Sequence, residues 1–183
     1  TDIYGATLGI IGLGRIGKAI AKRAKGFDMN IVYWNRTKLT ESEEKELGLS
    51  YSPFDDLLKK SDFVSLNVAY NKDTFHLMST REFGLMKESA NVINTARGPV
   101  MDENALVNAL KENQIMGAGL DVYEEEPEIH PELLAMDNTV LLPHIASATI
   151  ATRTKMGMIA VDNLIAACNG DQIPNLVNKE SMI

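Results

Sequence analysis

Short apolar runs alternate with stretches of helical period over most of the chain, from Thr7 to Leu142. This rhythm is typical of repeated strand-helix-strand units around a parallel sheet, because a strand covered by helices on both faces is apolar along its whole length. It predicts an α/β fold with a doubly wound parallel sheet of about seven strands. The predicted strands are Thr7 to Ile11, Asn30 to Trp34, Leu49 to Tyr51, Phe63 to Val68, Asn91 to Asn94, Gly117 to Val122 and Thr139 to Leu142.

Residues that favour a helix N-terminus lie between these strands. They are Ser52 before Pro53, Ser79 with Glu82 as a capping box, and Asp102. Such side chains accept hydrogen bonds from the first free amides of a helix. A longer helix is predicted from Ser147 to Cys168, ending near Gly170, because its apolar residues recur at helical spacing.

The charge and the apolar content exclude several classes of protein. The formal net charge is -7, which repels a polyphosphate backbone and argues against nucleic acid as a partner. No apolar run approaches the length of a membrane span. Cys168 is the single cysteine and no N-terminal signal pattern is present, so we expect a reducing, cytoplasmic location.

The segment directly after the first predicted strand is Gly12-Leu13-Gly14-Arg15-Ile16-Gly17, and a good helical sequence follows it. Gly12 permits a tight turn, Gly14 leaves room for a pyrophosphate near the backbone, and Gly17 lets the helix pack close to the strand. Free amides at the start of that helix favour an anion. The segment therefore predicts a dinucleotide site that includes Arg15 and Ile16, with an ordinary turn as the alternative.

The end of the second strand indicates which dinucleotide binds. NAD sites usually place an acidic residue there, about 20 residues beyond the glycines, to bind the adenosine ribose. This chain has Asn35-Arg36-Thr37 instead. Without a carboxylate to repel it, a 2′-phosphate could bind to Arg36 and the Thr37 hydroxyl, which favours NADP(H). In the alternative, Arg36 lies in solvent and the site accepts NAD(H) as well.

Polar residues that follow later strands are Arg97, Asp121, Glu126 and His144. Ligands of open parallel sheets bind beyond the carboxyl ends of the strands, so these residues are predicted to share one rim. Each also has a purely structural alternative: Arg97 as a helix cap or surface pair, Glu126 in a solvent-facing acidic run, His144 bonded to backbone, and Asp121 in a turn.

An arginine, a glutamate and a histidine together suit the interconversion of a 2-oxo acid and a 2-hydroxy acid beside a nicotinamide. A guanidinium binds a substrate carboxylate through two donors, and a histidine exchanges a proton with the carbonyl oxygen near neutral pH. A carboxylate bonded to the imidazole fixes its orientation. No metal is predicted, because no metal-ligand spacing links Cys168 with His76, in a predicted helix, or His130.

These motifs resemble the D-isomer-specific 2-hydroxyacid dehydrogenase family over essentially the whole chain, and within it the glyoxylate and hydroxypyruvate reductases. The residues that carry the resemblance are Leu8 to Gly17, Ile93 to Gly98, Gly117 to Pro127 and Leu142 to Ile145. The resemblance implies a Rossmann-type fold in which Arg97 binds the substrate carboxylate, His144 is the acid/base and Glu126 orients it. Further cofactor-binding residues are then Asn67, Val68, Thr74, Thr95, Ala96, Asp121 and Ser147.

The sequence departs from the family pattern at Asn35, where an acidic residue is usual, and at Ala69, where many members carry proline. The resemblance also implies a dinucleotide-binding domain at 1-146, and a C-terminal helix and tail at 147-183 that belong to an otherwise missing substrate domain. Family members usually form dimers through the nucleotide-binding domain, so a homodimer is expected.

The predicted function is therefore reduction of glyoxylate, or a related small 2-oxo acid, to the 2-hydroxy acid by hydride transfer from NADPH. Because the opposite wall of the cleft is expected to be absent, we expect this chain to bind the cofactor but to turn over glyoxylate poorly or not at all. The alternative is a module that senses NAD(P) without catalysis. Such a module shares the glycine loop but has no need of Arg97, Glu126 and His144 together.

Overall fold

A computed structural model, which describes residues 2–178, contains one parallel sheet of seven strands in the order β3-β2-β1-β4-β5-β6-β7. The prediction of an α/β fold with a doubly wound sheet is confirmed. The strands are β1 Thr7–Ile11, β2 Asn30–Trp34, β3 Ser50–Tyr51, β4 Phe63–Leu66, β5 Asn91–Asn94, β6 Gly117–Leu120 and β7 Thr139–Leu141. The strand order runs outward in two directions from β1 and β4, so the topological switch point lies between these two strands.

Three strands are shorter at their carboxyl ends than predicted: β4, β6 and β7. The next residue still donates one backbone hydrogen bond to the neighbouring strand, as Asn67 N does to Ile11 O at 2.7 Å and Asp121 N does to Asn94 O at 3.0 Å. The chain then turns away. The apolar pattern thus continues into the loops that line the carboxyl edge of the sheet.

The helices are α1 Arg15–Ala24, α2 Glu41–Leu47, α3 Phe54–Lys60, α4 Thr80–Phe83, α5 Glu103–Lys111, α6 Pro131–Leu134 and α7 Ile150–Asn169. The predicted cap of α5 is confirmed, since the Asp102 carboxylate accepts a hydrogen bond from Ala105 N at 3.0 Å. The predicted cap of α3 is wrong. Pro53 occupies the cap position, and the buried Ser52 hydroxyl has no hydrogen-bond partner within residues 2–178.

Two buried apolar clusters cover the two faces of the sheet. Ile10 and Ile11 are adjacent in β1 and both fully buried, yet Ile10 belongs to a cluster with Ala21 of α1, and Ile11 to a cluster with Leu106 of α5. Adjacent residues of a strand point to opposite faces. Burial on both faces explains why the strand sequences are continuously apolar rather than alternating.

The described chain divides into two compact units, the first ending at Pro143 and the second beginning at His144. The second unit contains α7, which starts at Ile150 because the Thr149 hydroxyl accepts a hydrogen bond from Thr152 N at 3.2 Å. The helix ends before Gly170, whose φ of 74° is the left-handed conformation of a C-terminal cap. Within residues 2–178, no helix combines the length and the apolar character needed to cross a membrane.

The loops after β5 and β6 touch at Gly98. A Cβ atom on Gly98 would lie 1.8 Å from Tyr123 O and 1.9 Å from Tyr123 C, which are backbone atoms that cannot swing aside. We predict that Gly98→Ala lowers the free energy of unfolding by at least about 2 kcal/mol, as measured by urea denaturation. Gly84→Ala is the matched control, because its Cβ would meet only ordinary contacts at 3.5 Å, and we expect a change below about 1 kcal/mol. Equal stability of the two variants would show that these loops do not touch.

Candidate functional site

The three glycines after β1 have different physical roles. Gly12 has a φ of 91°, and a Cβ there would lie 2.8 Å from the Asn67 carbonyl group after β4. A Cβ on Gly17 would lie 2.3 Å from Gly12 O, so this glycine allows the close packing of helix on strand that the sequence predicts. Gly14 is exposed and extended, and a Cβ there would meet no atom within 4 Å. Its open side fits a pyrophosphate, because the first amides of α1 lack acceptors within the helix.

A crevice lies at the carboxyl edge of the sheet across the switch point. Its first part is a cavity of about 250 Å³ beside the end of β2, and its second part is a cavity of about 520 Å³ beside the end of β5. The two cavities share Asn67, Val68 and Ala69 as lining residues. The two cavities therefore adjoin at these residues, beside the glycine loop.

Most of the predicted cofactor residues of the first unit line this crevice. Gly12, Gly14, Asn35, Arg36, Asn67, Val68 and Thr74 line the first cavity, and Ile16, Asn67, Val68, Thr95, Ala96 and Arg97 line the second. Arg15, Gly17, Thr37, Asp121 and Glu126 are not among the residues that line either cavity. Their contact with a cofactor or substrate stays a prediction.

The end of β2 is held by Asn35. Its amide nitrogen donates to Thr37 O at 3.0 Å, and its amide oxygen lies 3.5 Å from Leu13 N in the glycine loop. Arg36 is 84% exposed and pairs with Asp73 across the cavity, with 3.9 Å between Arg36 Nη1 and Asp73 Oδ2. Sequence reasoning missed Asp73, because it is brought to Arg36 only by the loop after β4.

The turn that presents Arg97 is built by Asn94, the last residue of β5. The buried Asn94 side chain accepts a hydrogen bond from Ala96 N and donates one to Arg97 O, both at 3.0 Å. Arg97 Nη1 donates to Ala96 O at 2.6 Å. Among residues 2–143, no carboxylate forms an ion pair with Arg97, so its guanidinium retains donors for a ligand carboxylate in the second cavity.

A polar network supports the loop that carries Glu126. Glu124 Oε1 accepts a hydrogen bond from Glu103 N at 2.7 Å, and Glu103 Oε1 accepts one from Glu124 N at 2.8 Å. His76 Nε2 lies 2.9 Å from the other Glu124 oxygen. Burial raises the pKa of the Glu103 carboxyl group, although the hydrogen bond from Glu124 N opposes that shift. Glu126 itself is exposed, and its Oε1 accepts from Tyr123 N at 3.1 Å.

This network corrects one expectation, for His76, and limits one of the structural alternatives, the solvent-facing acidic run. His76 does not lie in a helix: its φ is 48°, and its backbone N–H donates to Pro99 O at 2.9 Å. Glu124 does not simply face solvent, because it is bonded to the first amide of α5. Sequence reasoning could not find these contacts, which join segments far apart in the chain.

Asp121 is buried and follows β6, as predicted for a residue at the carboxyl edge. His144 and Ser147 belong to the second unit, where His144 has a φ of 53°. Their place beside a nicotinamide stays a prediction from the sequence. Within residues 2–178, no group of three or more His, Cys, Asp or Glu side chains could hold a metal ion.

Comparison with known proteins decides the family. The sequence pattern of the D-isomer specific 2-hydroxyacid dehydrogenase, NAD binding domain, matches residues 1–146. The chain belongs to this family. It is 54% identical to a glyoxylate reductase of Pyrococcus horikoshii over 179 residues, which are 98% of this chain and 53% of that protein. The chain thus spans about half the length of the relatives it matches.

Solved structures of family members share the fold. A glyoxylate reductase from Paecilomyes thermophila superposes with a TM-score of 0.90 at 42% identity, over 99% of this chain and 55% of that one. An NADPH-dependent glyoxylate/hydroxypyruvate reductase from Sinorhizobium meliloti, in complex with NADP and malonate, has a TM-score of 0.87 at 37% identity, over 93% and 52%. A D-lactate dehydrogenase with NAD+ from Lactobacillus jensenii has a TM-score of 0.87 at 30% identity, over 97% and 57%.

The different roles of the glycines predict different effects of substitution. Gly14→Ala fills only open space, so we expect the free energy of unfolding to change by less than about 1 kcal/mol. The added methyl group enters the space proposed for the pyrophosphate, and we expect the Kd for NADPH to rise at least about tenfold, measured by fluorescence titration. Gly17→Ala is the comparison, because it destabilises the fold itself. Unchanged NADPH binding by Gly14→Ala would place the cofactor elsewhere.

Proposed function

We propose that this chain is the nucleotide-binding part of a reductase that converts glyoxylate, or a related small 2-oxo acid, to the 2-hydroxy acid. One observation carries the proposal: two adjoining cavities lie at the carboxyl edge of the sheet, the first lined by Arg36 and the open side of Gly14 and the second by Arg97. An extended dinucleotide and a small carboxylate require such an arrangement. The names of the matched relatives favour a reductase over the alternative of a sensing module.

The side chains of this chain supply binding and proton transfer. Arg97 binds the substrate carboxylate through two N–H donors and holds the carbonyl carbon beside the cofactor. The nicotinamide, when bound, supplies the hydride. His144 donates the proton to the carbonyl oxygen, so hydride and proton together convert the carbonyl group to a hydroxyl group. Glu126 is the proposed partner that orients the imidazole, as the family resemblance implies.

We propose NADP(H) as the preferred cofactor and retain NAD(H) as the alternative. Asn35 leaves the end of β2 without a carboxylate, and Arg36 supplies a positive charge in the first cavity. We expect the Kd for NADPH to lie at least about tenfold below that for NADH, because the 2′-phosphate gains charge-assisted hydrogen bonds. Parallel fluorescence titrations of the chain test this. Arg36→Gln is expected to remove most of the difference, and tighter binding of NADH by the unsubstituted chain would refute the preference.

The catalytic roles are best tested in a chimera in which this chain replaces the matching part of the Pyrococcus horikoshii glyoxylate reductase. We expect glyoxylate-dependent oxidation of NADPH, followed by absorbance. His144→Ala is expected to lower kcat/KM at least about 100-fold, since it removes the proton donor. Arg97→Gln is expected to lower kcat/KM to a similar degree and to raise KM, because it removes the carboxylate partner.

His130→Asn is the matched control for the chimera. His130 precedes α6, and its Nδ1 accepts from Glu132 N at 3.3 Å, a capping role that asparagine also serves. Its activity is expected to match that of the unsubstituted chimera. An active chimera that His144→Ala does not impair would contradict the assigned acid/base. For this chain alone we propose cofactor binding with little or no glyoxylate turnover, and we retain the homodimer, the cytoplasmic location and the assignment of 147-183 to a substrate domain as proposals.

A further inference from the structure

Arg36, the residue proposed to bind the 2′-phosphate, faces a carboxylate across the first cavity. Arg36 Nη1 lies 3.9 Å from Asp73 Oδ2, and both residues line the same space of about 250 Å³. Among the described residues that line this cavity, Asp73 is the only acidic one. The charge that the family usually places after β2 is therefore present here on the opposite wall.

Local hydrogen bonds fix the loop that carries Asp73. Asp73 N donates to the Asn71 side-chain oxygen at 2.9 Å, and Asn71 N donates to Thr74 Oγ1 at 2.8 Å. The Thr74 hydroxyl in turn donates to Ala69 O at 2.8 Å, where the loop leaves the part of the crevice that both cavities share. The backbone of Asp73 is thus held at the cavity wall, and its carboxylate lies 3.9 Å from the Arg36 guanidinium.

We propose that Asp73 is a specificity-determining residue that reduces the preference for NADPH over NADH. The inference rests on the proposed function, in which the adenosine end of the cofactor occupies this cavity. A 2′-phosphate must displace Asp73 from Arg36 and is repelled by the carboxylate. A 2′-hydroxyl group carries no charge and can donate a hydrogen bond to the same carboxylate. Asp73 therefore lowers the affinity for NADPH and leaves the affinity for NADH unchanged or higher.

The test is a double-mutant cycle on the 183-residue chain. Asp73→Asn keeps the shape of the side chain and removes its charge, and it is combined with Arg36→Gln. Kd values are measured for NADPH and NADH, and for adenosine 2′,5′-bisphosphate and AMP, which differ by the 2′-phosphate alone. Asp137→Asn is the matched control, because Asp137 is an exposed aspartate that lies before β7, at the opposite edge of the sheet.

We expect Asp73→Asn to tighten NADPH and adenosine 2′,5′-bisphosphate about threefold or more at low salt, and to leave NADH and AMP unchanged or weaker. The gain should shrink at high salt, since both side chains are exposed and their interaction is screened. It should also shrink in the Arg36→Gln background, because the residue that Asp73 opposes is then absent. Asp137→Asn should change neither the ratio of the Kd values for NADPH and NADH nor the ratio of those for adenosine 2′,5′-bisphosphate and AMP.

Three results overturn the inference. The first is no increase in affinity of Asp73→Asn for the two 2′-phosphate ligands. The second is an equal increase for NADPH and NADH, or for adenosine 2′,5′-bisphosphate and AMP. The third is an increase of the same size in the Arg36→Gln background or in the control Asp137→Asn. Equal affinity of the unsubstituted chain for NADPH and NADH refutes the proposed cofactor preference, whereas the effect of Asp73→Asn on their ratio still decides the role of Asp73. Absence of binding by all four ligands refutes both.

Discussion

The crevice depends on the close approach of two backbones at Gly12. The chain after β1 turns into α1, and the chain after β4 continues over the edge of the sheet, with the Asn67 carbonyl 2.8 Å from where a Gly12 Cβ would be. Because β1 and β4 are neighbours in the sheet but lead to opposite sides, their loops diverge beyond this point. Because Gly12 has no side chain, the two backbones can approach each other at this position. Beyond it the loops after β1 and β4 diverge and leave an open space at the carboxyl edge of the sheet. The first cavity and the second cavity both lie beside this point.

Polar groups are buried beneath the loops after β5 and β6, which carry Arg97 and Glu126. A buried polar group costs free energy unless it is hydrogen-bonded, and a buried charge costs more. Here the hydrogen bonds are made largely with backbone. The Asn94 side chain bonds the backbone of the turn that presents Arg97. The carboxylates of Glu103 and Glu124 each accept a hydrogen bond from the backbone N–H of the other residue. The start of α5 and the neighbouring His76 lie beside these two acids. The loops after β5 and β6 are thereby joined to each other, which places Arg97 and Glu126 on a common support.

The sequence predicts most of the sheet because burial on both faces leaves a local signature, namely continuous apolar runs such as Thr7–Ile11. It predicts the roles of Gly12 and Gly17 because the motif has a fixed spacing between strand and helix. It fails where partners come from distant segments. His76, Glu124 and Asp73 look like ordinary surface residues in the sequence. Only the topology brings His76 to Glu124, Glu124 to the start of α5, and Asp73 to Arg36. The prediction that Ser52 caps α3 fails for a different reason. Pro53 occupies the cap position, and its fixed φ suits the start of the helix without a side-chain cap.

Cofactor choice shows why a local motif is an incomplete guide even in a fold that it predicts well. Solved relatives with NADP and with NAD+ share this backbone to the same degree, so the fold does not select between them. In the proposed placement of the cofactor, selection comes from side chains of the first cavity, which belong to two loops: the residues after β2 and the loop after β4. A substitution on one loop changes how strongly the residue on the other loop binds a phosphate, because a guanidinium paired with a carboxylate binds a phosphate less well than an unpaired guanidinium does. Since both side chains here are exposed, their balance depends on ionic strength as well as on sequence. If the cofactor binds as proposed, the cofactor preference of this chain therefore depends on the net charge of the whole first cavity and not only on the residue at the end of β2.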